Sequence, residues 1–199
     1  MKILAFTDTH LSETAINKIK KKAKKADILV CAGDISWFGM DLRKILRDLN
    51  KIGKPVYVIP GNHEEPGTKM KNICSKLKNV YYVHKMVKKI NGYKFFFWGG
   101  GGFAQTDKAL EKRMVLFKKT IKKDDQIIFV THGSPFKTEL DYLDWAGHVG
   151  CKSQRKFIRQ FKPLLHISGH LHENMHKQQV LFKKTLLVNP GPDGTILEI

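Results

Sequence analysis

Arginine is scarce in this chain of 199 residues. Of its 36 basic residues only five are arginine, and just 18 residues are acidic. The planar guanidinium fork is the usual reader of base edges, so the composition argues against a sequence-reading surface. The net charge of +18 still keeps a polyanion, nucleic acid included, among the expected partners through its attraction for phosphate. Cysteine is scarce too. Cys31, Cys74 and Cys151 form no paired framework and no Cys-x-x-Cys, which excludes a disulfide scaffold and makes a reducing, cytoplasmic setting the expectation. Cys31, inside ILVCAG, reads as a buried thiol. No apolar run approaches the ~20 residues of a membrane-spanning helix, so no membrane partner is expected. The opening MKILAFTDTH turns polar too soon for a secretory segment and reads as a first strand. Repeats, low-complexity tracts and linkers are absent as well. What is present is a chain with 42% hydrophobic residues, long enough to bury a real core as a single domain over 1–199.

Strand and helix signals alternate along it. The apolar runs 3–7, 27–33, 55–62, 126–130 and 164–168 read as buried strands. Ser12 is placed to cap a helix in which Ala15, Ile16, Ile19, Ala23 and Ala26 share a face. Leu42, Ile45, Leu46, Leu49 and Ile52 recur at helical spacing, and further helices are expected over 67–78, 107–122 and 151–161. Asn91-Gly92 between the runs 85–90 and 93–98 signals a hairpin. The tail, 177–199, reads as short strands turning at Lys183-Lys184 and Asp193-Gly194. A βαβα front and a hairpin-rich back point to an α/β chain in which helices cover stacked sheets of mixed direction.

The residues just past the strands carry the chemistry. They are Asp8-Thr9-His10, Gly33-Asp34, Gly61-Asn62-His63, His132-Gly133 and Gly169-His170-Leu171-His172. Ligand sites of open α/β sheets lie beyond the carboxyl ends of strands, so these five ends are expected to converge. Residues i and i+2 point the same way from extended backbone, which makes Asp8/His10 and His170/His172 two expected chelating pairs. Gly33, Gly61 and Gly169 allow tight turns and close packing beside them. Carboxylate and neutral imidazole suit manganese, iron or zinc. The seven donors Asp8, His10, Asp34, Asn62, His132, His170 and His172 exceed what one tetrahedral ion takes. They suit two ions ~3.5–4 Å apart with one shared carboxylate, the arrangement that clamps an in-line phosphoryl displacement. The alternative, that each histidine is separately structural, fits a lone His-x-His better than it fits five strand ends in this order.

These blocks, Asp8-x-His10, Gly33-Asp34 with Gly39 five beyond, Gly61-Asn62-His63-Glu64, Thr131-His132-Gly133 and Gly169-His170-x-His172, resemble the calcineurin-like metallophosphoesterase superfamily from residue 8 to 172. The resemblance implies a four-layer α/β/β/α sandwich with two mixed sheets flanked by helices and a binuclear centre. It places Asp8, His10, Asp34 and His172 on one metal and Asp34, Asn62, His132 and His170 on the other, with Asp34 bridging. His63 is then no ligand but the catalytic residue that stabilises the phosphorus and protonates the leaving oxygen, after attack by a metal-bridging hydroxide. Trp37-Phe38 stand where the serine/threonine phosphatases carry Asp-Arg, which sets that branch aside. THGSPF and GHLHE resemble the small MPPED-type phosphodiesterases, with Ser134 in place of a proline. That likeness implies a small phosphodiester substrate, such as a cyclic nucleotide. Two divalent transition-metal ions are expected, manganese first, with iron, nickel or zinc as alternatives. The rival expectations are a nuclease, favoured by the charge, and a non-catalytic metal-binding scaffold, disfavoured because every donor is present.

Other features invite lesser roles. Gly99–Gly102 lack the Lys-Ser/Thr of a phosphate loop and read as a flexible loop beside the site. His148 reads as surface loop or substrate contact, His166 as a core histidine or one supporting a ligand, and His84 and His176 as unaccompanied. Trp37 reads as ordinary packing or a stacking platform for a base.

Overall fold

Thirteen strands and five α-helices make up the computed structural model, which describes residues 1–199. The first half runs β1 (Lys2–Phe6), α1 (Glu13–Ala23), β2 (Ile28–Cys31), α2 (Leu42–Asn50), β3 (Val56–Val58), α3 (Thr68–Cys74) and β4 (Val80–Tyr82), then the hairpin β5 (Met86–Ile90) and β6 (Tyr93–Trp98). The second half runs α4 (Lys108–Lys118), β7 (Ile127–Thr131), β8 (Tyr142–Leu143), β9 (Gly147–His148), α5 (Lys152–Phe161), β10 (Leu165–Ile167), β11 (Gln178–Leu181), β12 (Thr185–Val188) and β13 (Thr195–Glu198). Two helix starts, those of α1 and α4, follow their capping chemistry. Ser12 Oγ accepts from the Ala15 amide at 3.2 Å and Asp107 Oδ1 from the Leu110 amide at 2.8 Å, satisfying amides that the first helical turn leaves without partners.

Two mixed sheets result, ordered β13-β1-β2-β3-β4 and β11-β12-β10-β7-β6-β5. Period-two alternation lets each central strand feed two cores at once. From β1 and β2, Leu4, Phe6, Leu29 and Cys31 pack under α1–α3 with Ile16, Ile19, Leu46 and Met70. Their neighbours Ile3, Ala5, Ile28 and Val30 face the other way, onto Phe95, Phe97, Ile128 and Val130 of the second sheet. Phe96 and Phe129 point outward to Met114, Phe117 and Phe157 beneath α4 and α5. The layers are therefore α/β/β/α, as the resemblance implied. Strands buried on both faces read as unbroken apolar runs for this reason.

Several details differ from the sequence expectation. β3 ends at Val58 rather than reaching 62, since Pro60 has no amide to give a ladder. α3 and α4 are shorter than 67–78 and 107–122. The edge strand β4 and the small hairpin β8–β9 carry no sequence signal, being too short to show a period. β13 returns to pair antiparallel with β1. All three cysteines are free and buried. Burial pushes the Cys31 thiol well up and that of Cys74 to about 12.

Candidate active site

The carboxyl ends of β1, β2 and β3 in one sheet and of β7 and β10 in the other deliver all seven expected donors and His63 to one place. They do not do so on extended chain. Asp8, His10, Asp34 and His170 all have positive φ, at 52°, 42°, 51° and 72°, and His172 opens a 3-10 turn, His172–Asn174. The expected mechanism for pairing i with i+2 is thus wrong. Left-handed residues reverse the chain as it leaves β1, β2 and β10, at roughly 1–3 kcal/mol apiece. The His170/His172 pair is also split. His172 joins Asp8 and His10, while His170 joins Asp34 and His132. Gly33 turns the chain at φ 104°. A Cβ there would come within 2.8 Å of His132 Nδ1, and one on Gly169 within 2.3 Å of Asp8 Oδ2.

Two donor groups lie side by side. In the first, His172 Nε2 is 3.6 Å and His10 Nε2 4.0 Å from Asp8 Oδ1, and the two imidazole Nε2 atoms are 3.3 Å apart. In the second, His132 Nε2 lies 3.2 Å from Asp34 Oδ2 and 2.9 Å from Asn62 Oδ1. Asp34 Oδ2 is also 4.0 Å from His10 Nε2, so this carboxylate faces both groups. The far sides of His132 and Asp8 are tied down. His132 Nδ1 donates to the Ala32 carbonyl at 2.9 Å, which aims Nε2 at the cluster. Asp8 Oδ2 accepts from Thr7 Oγ1 at 2.7 Å and the His170 amide at 2.9 Å. Its other oxygen, Oδ1, is buried without any hydrogen-bond partner. A buried carboxylate oxygen facing two imidazole nitrogens at 3.6 and 4.0 Å, beyond hydrogen-bond distance, is what a cation would satisfy, so these residues fit a two-ion centre.

Charge in the cluster is set against burial. Desolvation would raise Asp8, yet His172, His132 and the Thr7 hydroxyl hold its carboxyl below the usual range. Asp34 is held low in the same way by His132 and the His63 amide. His132 is fully buried, which disfavours its charge, but the Asp34 carboxylate overrides this and drives it up to about 9. Burial, then the charge on His132, pushes His170 down to about 4.

His63 sits on the rim of both groups, its Nε2 3.9 Å from Asp34 Oδ2. Nδ1 is buried and unpartnered, so packing orients the ring. Phe38, itself at φ 47°, lies against it at 4.3 Å between centroids, with the Trp37 and His10 rings edge-on at 4.9 Å. Trp37 stacks on His10 at 4.0 Å, so this tryptophan has a packing role. Glu64 belongs to the sequence motif without a role there, and the structure supplies one. Its buried carboxylate accepts from the amides of Asp34, Ser36 and Gly61 at 2.9, 2.9 and 3.0 Å and from Ser36 Oγ at 2.6 Å, binding two donor loops together.

The lesser candidates also find places. The glycine loop does lie beside the site, where Gly102 leaves room for the His170 ring and Phe103 meets that ring edge-on at 4.6 Å. His84 is not unaccompanied, since its Nδ1 takes the Gly99 amide at 3.0 Å. Nor is His176, 3.2 Å from Asp193. His166 is buried against Thr131 Oγ1 at 2.9 Å. His148 is held 2.9 Å from the buried Asp141, while its neighbours Trp145 and Val149 line a cleft of about 410 Å³ over the donors.

Comparison with known proteins agrees with this geometry. The uncharacterized protein MJ1162 of Methanocaldococcus jannaschii is 30% identical over 96% of this chain and 88% of its own. A symmetrical bis(5'-nucleosyl)-tetraphosphatase of Wigglesworthia glossinidia brevipalpis is 25% identical, and the alignment takes in 83% of this chain and 57% of that protein. Among solved structures, TT1561 of Thermus thermophilus superposes with a TM-score of 0.78 at 20% identity, over 98% of this chain and 93% of that one. The calcineurin-like phosphoesterase profile matches residues 1–174, a span that contains every donor loop described above, and the chain therefore belongs to the calcineurin-like phosphoesterase family.

Proposed function

We propose that residues 1–199 act as one domain that hydrolyses phosphodiesters at a manganese-loaded two-ion centre, in a reducing, cytoplasmic setting. The observation that carries the reading is the pair of donor groups facing a common Asp34, with the buried, unpartnered Asp8 Oδ1 between imidazoles. Asp8, His10, Asp34 and His172 would hold one ion, and Asp34, Asn62, His132 and His170 the other. When bound, two such ions supply Lewis acidity and a lowered pKa for water. The chain's own part is orientation and proton transfer. Glu64 and the Ala32 carbonyl fix the donor loops. Trp37 covers His10 and limits water on that side. His63 Nε2 holds a proton at the rim and gives it to the leaving oxygen. The free, buried cysteines support the reducing setting, and the oxygen and nitrogen donor set suits manganese, with iron, nickel or zinc as alternatives.

The diester preference is supported by the likeness of THGSPF and GHLHE to MPPED-type phosphodiesterases. A second reading, hydrolysis of a dinucleoside polyphosphate, draws on the tetraphosphatase relative. A panel of cyclic nucleotides, aryl mono- and diesters, diadenosine tetraphosphate and single-stranded DNA with Mn²⁺ separates these. Small diesters should turn over fastest. Exclusive monoester or tetraphosphate hydrolysis, or no turnover with any divalent ion, would contradict the proposal.

A further inference from the structure

The cleft over the donors has an unusual lining for so basic a chain. None of its 12 lining residues is lysine or arginine, although the chain carries 36. Grooves lined by Lys20, Lys24, Lys51 and Lys54 lie on and beside α1 and α2 instead. Two acidic residues, Asp34 and Glu173, do line the cleft. A polyphosphate or a nucleic-acid backbone is normally met by several cationic side chains. Here any charge on the substrate beyond that taken up at the donor cluster would meet no lysine or arginine in the lining.

The rest of the wall is apolar and open to solvent. Phe103 is 77% exposed and Trp145 81% exposed, and both line the cleft with Leu143, Val149 and Leu171. Trp145 stands in the turn between β8 and β9, and no residue of that hairpin belongs to the three cores. Phe103 follows Gly100, Gly101 and Gly102, all at positive φ, and its only aromatic contact is the edge of His170. Large rings held in water at one cleft mark a binding surface, and rings of this kind take flat π-systems by stacking.

We propose that Phe103 and Trp145 are specificity-determining residues that hold the nucleobase of a phosphodiester carrying a single negative charge, while the cation-free lining rejects extra phosphates. The proposal rests on the phosphodiesterase reading for its reaction, but its test does not depend on turnover. Adenosine 5'-monophosphate and ribose 5-phosphate share the phosphate and differ in the base. Calorimetry on the Mn²⁺-loaded full chain should find the first at least about tenfold tighter. Phe103→Ala and Trp145→Ala should each weaken it by about fivefold or more and leave ribose 5-phosphate within about twofold. Both side chains are exposed, so melting temperatures should stay near wild type. Adenosine 5'-diphosphate should bind no more than about threefold tighter than the monophosphate.

Equal affinity for the two monophosphates in the wild type, or variants that lose both alike, would overturn the clamp. A tenfold gain for the diphosphate would overturn the charge argument. If the base selectivity is found but no diester is hydrolysed with any divalent ion, the phosphodiesterase reading falls and the clamp stands. If diesters are hydrolysed and the selectivity is missing, the clamp alone falls.

Discussion

Replacing Gly61 with alanine tests how tightly the donor loops are packed. Gly61 has φ −90° and ψ −167°, a backbone alanine adopts freely, so any effect must come from space. An added Cβ would stand 2.0 Å from Asp34 Oδ1 and 2.7 Å from the Asp34 amide nitrogen, against 3.4–4 Å for ordinary contact. Relief requires the carboxylate to move by about an ångström, a shift that a packed interior resists. The same oxygen accepts the His63 amide at 3.0 Å, and Glu64 holds the Gly61 amide at 3.0 Å, so neither loop yields independently. Metal sites tolerate about 0.2 Å of ligand error, and an ångström of misplacement costs about 10²-fold in rate. Overpacking removes a further ~1–3 kcal/mol of stability. Gly61→Ala should therefore lose most bound metal on gel filtration, fall at least about 100-fold in kcat and melt earlier. Gly53→Ala, at φ 76° with nothing within 4 Å, should cost about 1–2 kcal/mol of backbone strain and keep both metal and kcat. A Gly61→Ala protein with full metal and wild-type kcat would refute the packing argument.

Three further outcomes follow from the same geometry. His63→Ala should keep its metal content while kcat falls roughly 10²–10⁴-fold, most for alkoxide leaving groups and least for activated aryl ones. Metal loss, or equal loss for both leaving groups, would show that His63 is a ligand or a purely electrostatic group. Glu64→Ala strands three buried amides and a hydroxyl, so it should destabilise the fold by about 3 kcal/mol or more in denaturant titration. Glu64→Gln, whose NH₂ faces donors, should restore only part of this. Because His132 is raised to about 9, it carries a proton at pH 7.5 in metal-free protein and must lose it to become a ligand. Calorimetry in buffers of different ionisation enthalpy should show at least about one proton released per chain, His132 contributing one, with tighter metal binding as pH rises toward 9. Buffer-independent heats would contradict this.

The sheets and helices were legible because their pattern is local. Leu4 and Ile3 both had to be apolar for strands with two buried faces, and Ser12 stood one residue before the helix it caps. The donors were legible because they follow directly on those strands. How they converge was not. An i,i+2 spacing carries no sign of the left-handed backbone at Asp8, His10 and His170, since aspartate and histidine enter that region without the glycine that would announce it. Contacts between distant segments were equally hidden, such as Glu64 on Asp34 and Ser36, His84 on Gly99 and His176 on Asp193. β4 and the β8–β9 hairpin are too short for any periodicity, and the hairpin is what carries Trp145 to the cleft.

The central claim, a two-ion centre facing a common Asp34, is tested most directly by titrating metal-free protein with Mn²⁺ while bound ions and aryl diester hydrolysis are measured together. Two ions should bind per chain, activity should develop with the second, and Asp34→Ala should retain neither. Full activity with a single ion, or two ions held by Asp34→Ala, would contradict it.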